Sequence, residues 1–542
     1  MTFRMKLVPL TSSLLRDIGH QGRPWLLLGK GPSYSCFSDA MADQFNVLAL
    51  NHAMRGKRVL VGHAIDIEVF DHMREEDLEQ VKFLCVPWVP HVRKRRLLSG
   101  GKAFFGPGER NLLEYCSDHP VLQRYSREGR LISYNLQTVD ATRMNPELSN
   151  VKAGSFSASV ALELLAQFGA REIRTLGIDG GSSYADSFSD IEQRTKLQTG
   201  QTSFDIQFRE MASTIQKYDL LAGPLHMQIP VSVFVGCMPE QELAYQVLKY
   251  SIQRNSSVSV AVERLHEAVA SKGISVREPL DPANRGRTPF SFQRFAIPAV
   301  CEYKGRAIYL DSDMLVLGDM RQLAEFPLEG MQMASAASPP GSGRPAQFSV
   351  MVIDCAELDW DVNALVEQLD RGTISYEDLM YRMKSVQRWA PKLPYTWNSF
   401  ELHEEGRTQL IHFTDMDTQP WLNPWHPLGP LWAGYLIEAV QRGAIPLSLV
   451  EQEVRERNVR PSILEQLRRH QPDPRRLPLS VLRADLVDFF PVHRRAGSKL
   501  SRINHELYRI QLMARHFIQT GIIPPIRRLR RVASRLLNRV PS

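Results

Sequence analysis

A chain of 542 residues is too long for one hydrophobic core, because single cores stop growing at roughly 250–300 residues. Two or three domains are expected, and the 43% hydrophobic and 23% charged content excludes a largely disordered chain. The net charge of +7 gathers at the C-terminus instead of spreading as a nucleic-acid footprint, and the six cysteines form no C-x-x-C pair, which argues against a zinc or disulfide framework.

The N-terminal "MTFRMKLVPLTSSLLRDIGH" lacks the apolar core of a signal peptide, and no later run reaches transmembrane length, so a cytoplasmic protein is expected. Apolar strand candidates then follow at "WLLLG", "NVLAL", "KFLCVP" and "IRTLGID", with the helical run "SASVALELLAQFG" among them. Such alternation predicts a parallel α/β sheet. "LLLGKGPSYS" places Gly29, Gly31, Pro32 and Ser33 directly after a strand, where glycines admit an anion to the backbone and a following helix N-terminus adds positive potential. The turn is neither a Walker A nor a full G-x-G-x-x-G, and a plain strand-to-helix turn is the simpler reading. His63 and His72 lie near "AIDIEVFDHM" without forming an evident general base, and "HVRKRR" (91–96) reads as a solvated basic loop that could also meet phosphates.

With "NVLALNHA", "AIDIEVFD" and "KAGSFSASVALELLAQFGAREIRTLGIDGGSSY", this half, about Pro24 to Leu225, resembles the domain shared by sialyltransferase family 42, motility-associated flagellin glycosylation factors and 6-hydroxymethylpterin pyrophosphokinase-like proteins. The resemblance implies a Rossmann-like nucleotide-binding domain over residues 1–228. Gly29, Gly31, Pro32 and Ser33 would face a nucleotide or its phosphates, with Asn51, Asp66, Ser155 and Asp179 near the same crevice. Asp66 and Asp179 each end a strand-like run and could instead cap a turn.

A second α/β pattern restarts at "VSVFVG" and runs through helix "EQELAYQVLKYSIQ", strand "SVSVAV", helix "FSFQRFAIPAVCEY" and strand "AIYL". That strand ends in Asp311 and Asp313, and ligands of parallel α/β sheets gather beyond strand carboxyl ends. Two hard oxygen donors there suit Mg²⁺ or Mn²⁺. Asp359/Asp361 and Asp415/Asp417 repeat the D-x-D spacing, so position at a strand end is what sets the first pair apart.

"TPFSFQRFAIPAVCEYKGRAIYLDSDMLVLGDMRQL", with "QFSVMVIDC", "LPYTWNSF" and "IHFTDMDTQPW" following in order, resembles retaining glycosyltransferase family 8 from about Ile229 to Gly443, about two fifths of the chain. The resemblance implies a GT-A fold over 229–449 that binds a nucleotide-diphosphate sugar with Mn²⁺ (or Mg²⁺). Asp311, Asp313 and His412 would hold the metal; Phe234, Val235, Arg294, Asp311 and Gln419 would meet the donor. His412 as a satisfied core histidine is the plainer alternative. Gln419 stands where the family carries a lysine, one residue further from the histidine, and Ser349 stands where it often carries an asparagine. Glu377 and Asp378, in place of the family's Asp-Gln, would orient sugar or acceptor or stabilise an oxocarbenium-like transition state; as a plain alternative they begin a helix, where the dipole favours them.

From residue 450 the pattern turns to charged helices broken by prolines, a helical basic extension over 450–542. Arg527, Arg528, Arg530, Arg531, Arg535 and Arg539 alternate with apolar residues at helical spacing, which suits either an anionic membrane surface or a terminal helix packed on its own domain. The whole reads as two consecutive α/β domains, Rossmann-like then GT-A, with a helical extension: a glycosyltransferase acting on a nucleotide sugar and a glycan or lipid-linked acceptor, peripheral at the inner membrane face. By analogy the acceptor is a bacterial surface glycan. A bifunctional enzyme adding two sugars, and a non-catalytic nucleotide-binding scaffold at the membrane, are the alternatives.

Overall fold

The computed structural model describes residues 6–95, 103–152, 156–191, 202–286, 288, 290–338, 347–416, 418–487 and 489. Ser155, residues 339–346, Asp417 and the basic C-terminal stretch lie outside the described residues. The chain divides into two units: residues 1–232 with 253–261 and 319–327, and the remainder.

The first unit is built on nine strands: β1 (Val8–Pro9), β2 (Trp25–Leu28), β3 (Asn46–Leu50), β4 (Val59–His63), β5 (Val81–Pro87), β8 (Leu131–Leu136), β9 (Asn150–Val151), β10 (Glu172–Leu176) and β11 (Leu221–Pro224). Their order is β1-β8-β5-β4-β3-β2-β10-β11, with β9 beside β8, and every pairing is parallel. β2 is apolar throughout, and β3 is buried throughout and apolar after Asn46, because parallel sheets are covered on both faces. Alternate side chains serve opposite cores: Trp25, Leu27 and Leu48 pack on one side, Leu26, Leu28 and Val47 on the other. Helices Ser157–Gln167 and Ile206–Tyr218 lie in the first of these cores.

The basic run expected as a loop is a strand, β6 (His91–Arg95), paired antiparallel with β7 (Ala103–Pro107). Its ladder is outside the main sheet, so it lacks the buried apolar alternation that marks a strand in sequence. The helix expected after Gly31 is a five-residue 3₁₀ turn, Pro32–Cys36.

The second unit centres on six strands in the order β13-β12-β14-β17-β16-β18: β12 (Val231–Gly236), β13 (Val260–Arg264), β14 (Arg306–Asp311), β16 (Met333–Ala336), β17 (Gln347–Asp354) and β18 (Trp389–Leu393). This sheet is mixed: β17 runs antiparallel to β14 and β16, while β16 and β18 are parallel. A smaller sheet joins β15 (Met314–Val316), β20 (Leu410–His412) and β19 (Ser399–Phe400) in the order β15-β20-β19. The run "FSFQRFAIPAVCEY" forms two single turns, Gln293–Ala296 and Ile297–Val300, in place of a long helix. Pro298 donates no N–H and disfavours helix just before itself. Helices Gly429–Gln441, Leu447–Arg455 and Ser462–Arg468 share one core through Trp432, Val450 and Ile463. No described helix is long and apolar enough to cross a membrane.

Candidate functional site

Three strand ends assemble the candidate site of the second unit. Asp311 is the last residue of β14, Asp313 stands one residue before β15, and His412 ends β20 directly opposite Met314. The ladder continues one step past the strands, with the Phe413 amide donating to the Asp313 carbonyl at 2.9 Å. One ligand atom from each of Asp311, Asp313 and His412 lies within 4.8 Å of the others, the one such cluster among the described residues.

The histidine is oriented for coordination. Asn398 Nδ2 donates to Ser349 Oγ at 3.2 Å, which turns its Oδ1 toward His412 Nδ1 at 3.0 Å. Nδ1 therefore carries the proton, and the Nε2 lone pair faces Asp313 Oδ1 at 3.3 Å. Two electron-rich atoms held that close call for a proton or a cation between them. Tyr309 OH donates to Asp311 Oδ1 at 2.7 Å, Gln419 Nε2 donates to Asp313 Oδ2 at 3.2 Å, and neither interaction uses up the carboxylates' lone pairs. Two carboxylates with one imidazole are a donor set compatible with a divalent metal ion.

Burial raises the Asp311 carboxyl above its ordinary range, with Arg294 opposing and Asp313 adding to the rise. Burial alone would hold His412 down, but the facing Asp313 and then Asp311 outweigh it, and the net direction is up. The His412 shift describes a pocket with negative charge to spare. Arg294 stacks its guanidinium 4.8 Å from the Tyr309 ring centroid and donates to the Phe348 carbonyl at 3.2 Å, while its buried Nε has no partner. Gly236 at the end of β12 leaves room for this arrangement, since a Cβ there would stand 2.5 Å from Tyr309 OH.

Other sequence candidates fall elsewhere. Phe234 and Val235 are buried in β12, so any donor contact from them would run through the backbone. Glu377 and Asp378 begin helix Tyr376–Met380 and pair with Arg382 and Lys384 at the surface. Asp361 caps helix Val362–Asp370 by accepting from the Asn363 and Ala364 amides, a structural duty for that D-x-D. Sequence reasoning passed over Tyr309, Asn398, Glu401 and His426. Only Tyr309 carried a local signal, two residues before Asp311 and so on the same face of the strand.

In the first unit, strand order reverses at β2, with β3 on one side and β10 on the other, which is where open parallel sheets bind ligands. Gly29 and Gly177 approach backbone to backbone: a Cβ on either would lie 2.3 Å from the other's carbonyl oxygen. Ser33 donates its amide and hydroxyl to the Asp179 carboxylate at 2.8 and 2.5 Å, and Gly177 N donates to Ser33 Oγ at 2.7 Å. Asp179 thus occupies the place in the turn expected for an external anion, and Gly31 and Pro32 frame it.

Beside that turn lies a polar group with unmet partners. The Lys30 ammonium sits 4.2 Å from the Tyr184 ring centroid, and burial draws it down to about 8, with Asp66 opposing. Burial, helped by Glu68, pushes Asp66 up to about 7. Asn51, at φ +51°, donates to Ser157 Oγ at 3.1 Å and leaves its buried Oδ1 without a partner. Neither ring nitrogen of buried His52 is bonded, and burial followed by Lys30 and Arg55 lowers it to about 3. His72 stacks on His52 at 6.2 Å, and buried His63 bonds Tyr134 OH at 2.8 Å.

No family model matches the chain. Protein CDI of Arabidopsis thaliana is 37% identical over 101 residues, 18% of this chain and 37% of that protein. Among solved structures, the apo form of the glycosyltransferase GlyE of Streptococcus pneumoniae TIGR4 is similar at 17% identity over 42% of this chain and 64% of that one, TM-score 0.28. The galactosyltransferase LgtC, solved with donor and acceptor sugar analogs, is similar at 11% identity over 35% and 89%, TM-score 0.23. Mouse xyloside xylosyltransferase 1 is similar at 12% identity over 34% and 97%, TM-score 0.24. The chain spans little more than a third of the curated relative and under two thirds of GlyE. At these TM-scores the likenesses carry no argument, and the mixed α/β architecture rests on the strand order itself.

Proposed function

We propose that the protein is a glycosyltransferase whose second unit transfers a sugar, with retention, from a nucleotide-diphosphate donor to a glycan or lipid-linked acceptor, a bacterial surface glycan by analogy. The observation that carries this reading is the Asp311, Asp313 and His412 cluster, with the Nε2 lone pair of His412 held open toward two carboxylates. A divalent cation there, Mn²⁺ or Mg²⁺, would neutralise charge developing on a diphosphate leaving group.

The chain's own residues prepare that site. Tyr309 holds Asp311, Asn398 sets the tautomer of His412, and Gln419 holds Asp313 with a neutral amide. Arg294, whose Nε is unpartnered, is the proposed cationic contact for the donor. Glu377 and Asp378 are proposed to meet sugar or acceptor; their surface ion pairs are worth little and cost little to exchange for substrate hydroxyls. An anionic membrane surface is the proposed partner of the Arg527–Arg539 tail.

The bifunctional reading has support of its own in the first unit, where Asn51 Oδ1 and both ring nitrogens of His52 lack hydrogen-bond partners among the described residues, close to the mutually attracting, buried Lys30 and Asp66. Both readings are tested by a thermal-shift panel of UDP, GDP, CMP and dTDP sugars with and without Mn²⁺. The metal reading requires a Mn²⁺-dependent shift that Asp313→Ala abolishes. A separate shift lost only in Lys30→Gln would establish a second site, and no shift with any donor in folded protein would favour the scaffold alternative.

A further inference from the structure

Glu401 follows β19 and stands at φ +52°, a left-handed conformation that non-glycine residues rarely adopt. It is held there by three bonds. Its amide donates to the His412 carbonyl at 3.2 Å. Its Oε1 accepts from the Asp415 amide at 3.2 Å, and its Oε2 accepts from His426 Nε2 at 2.7 Å. The Leu428 amide donates to His426 Nδ1 at 3.1 Å, so Nδ1 bears the lone pair and Nε2 bears the proton that Glu401 accepts. His426 is itself buried, with its ring edge-on to Phe413 at 5.3 Å.

The sequence positions of these partners give the arrangement its meaning. Asp415 lies four residues before Gln419 and His426 seven after it, and Gln419 is the side chain of that stretch that donates to Asp313. One carboxylate therefore fastens both flanks of the segment carrying Gln419 and, through its own amide, the backbone of His412. A persistent backbone outlier over-determined by its surroundings marks a site where geometry matters to function. We propose that Glu401, clasped to His426, is a positioning residue for the metal cluster: it fixes His412 and Gln419 relative to Asp313 and acts through them. This rests on the metal reading above, which assigns no role to either residue.

The test uses the full chain with Mn²⁺ alone as the probe, its free concentration followed by electron paramagnetic resonance, in wild type, Glu401→Ala, Glu401→Gln and Asp313→Ala. Residues that orient metal ligands typically contribute tenfold to a hundredfold in affinity, and that loss is expected in Glu401→Ala. Glu401→Gln keeps one carbonyl acceptor for two donors and should lie between. Hydrogen exchange supplies the second arm: the amides of Asp415 and Leu428 should exchange at least tenfold faster in Glu401→Ala, with or without metal. Mn²⁺ affinity within twofold of wild type in folded Glu401→Ala would overturn the proposal and leave the metal reading standing. Absence of Mn²⁺ binding in wild type would overturn the metal reading, and with it the role of Glu401 at a metal site. Unchanged exchange at both amides would overturn the clasp whatever the metal does.

Discussion

Replacing Asp313 by alanine tests the metal cluster with a magnitude that follows from its geometry. Without metal the variant loses the contact of His412 Nε2 with Asp313 Oδ1 at 3.3 Å and one bond of Gln419 Nε2, which keeps its other bond to the Phe413 carbonyl at 3.0 Å, so the loss is about 1–3 kcal/mol. With metal the difference grows. A cation at a hundred times its Kd stabilises the folded state by about 2.7 kcal/mol, which for a unit of this size raises Tm by about 5–10 °C. A site weakened a hundredfold retains only about 0.4 kcal/mol of that, about 1 °C. The assay is a melting curve in Mn²⁺ against a chelated baseline, with Asp361→Ala as control. Asp361 caps a helix, so its loss should cost about 1 kcal/mol yet leave the Mn²⁺ shift whole. Equal shifts in wild type and Asp313→Ala, or loss of the shift in Asp361→Ala alone, would refute the assignment.

Because the Asp66 carboxyl is raised to about 7, the folded first unit holds more protons than the unfolded chain between the ordinary carboxylate range and that value. The Asp66 contribution should therefore fall as pH climbs from about 4 to about 7, against the rise contributed by the depressed His52, His63 and His91, and Asp66→Asn should make urea midpoints rise more steeply than in wild type across that range. Gly29→Ala forces a Cβ to 2.3 Å from a carbonyl oxygen and should cost about 3 kcal/mol or more, whereas Gly22→Ala, at φ +79° with open space around it, should cost only about 1–2 kcal/mol; urea titration of both separates clash from strain. Gln419→Lys would place an ammonium beside Asp313 Oδ2, raising Tm in chelator and weakening Mn²⁺ binding measured by calorimetry.

What could be read in the sequence was whatever the chain expresses locally. Apolar runs marked β2, most of β3 and the end of β5, because a strand buried on both faces has few polar positions to hide it. The Asp311 and Asp313 pair stood out because carboxylates directly after such a run are costly without a partner. The rest depended on contacts between distant residues. Ser33 and Asp179 are 146 positions apart, and nothing near either announces that one fills the other's turn. Asn398 sets the proton on His412 from the residue just before β19, and Glu401 is held in a backbone conformation that no composition rule predicts for a glutamate.

Gln419, at the position where the resembled family carries a lysine, bears on how the proposed metal cluster would balance its charge. Asp311 and Asp313 bring two carboxylates into one buried group, and a donor diphosphate would bring more negative charge. A lysine at residue 419 would offset part of that from the protein side; an amide offsets none. Arg294 is then the cation that bears on Asp311, and it does so from across the Tyr309 ring. The upward shift of His412, driven by Asp313 and Asp311 against burial, reports that deficit: a proton is drawn to a place where positive charge is missing. A divalent ion supplies that charge without a proton, and the Nε2 lone pair of His412, fixed by Asn398, is oriented to receive it. On the proposed reading an amide at residue 419 does not signal a dead site. Charge neutralisation would fall to the metal instead of a side chain, and donor binding would then depend on the metal more than on any single residue of the segment over 413–428.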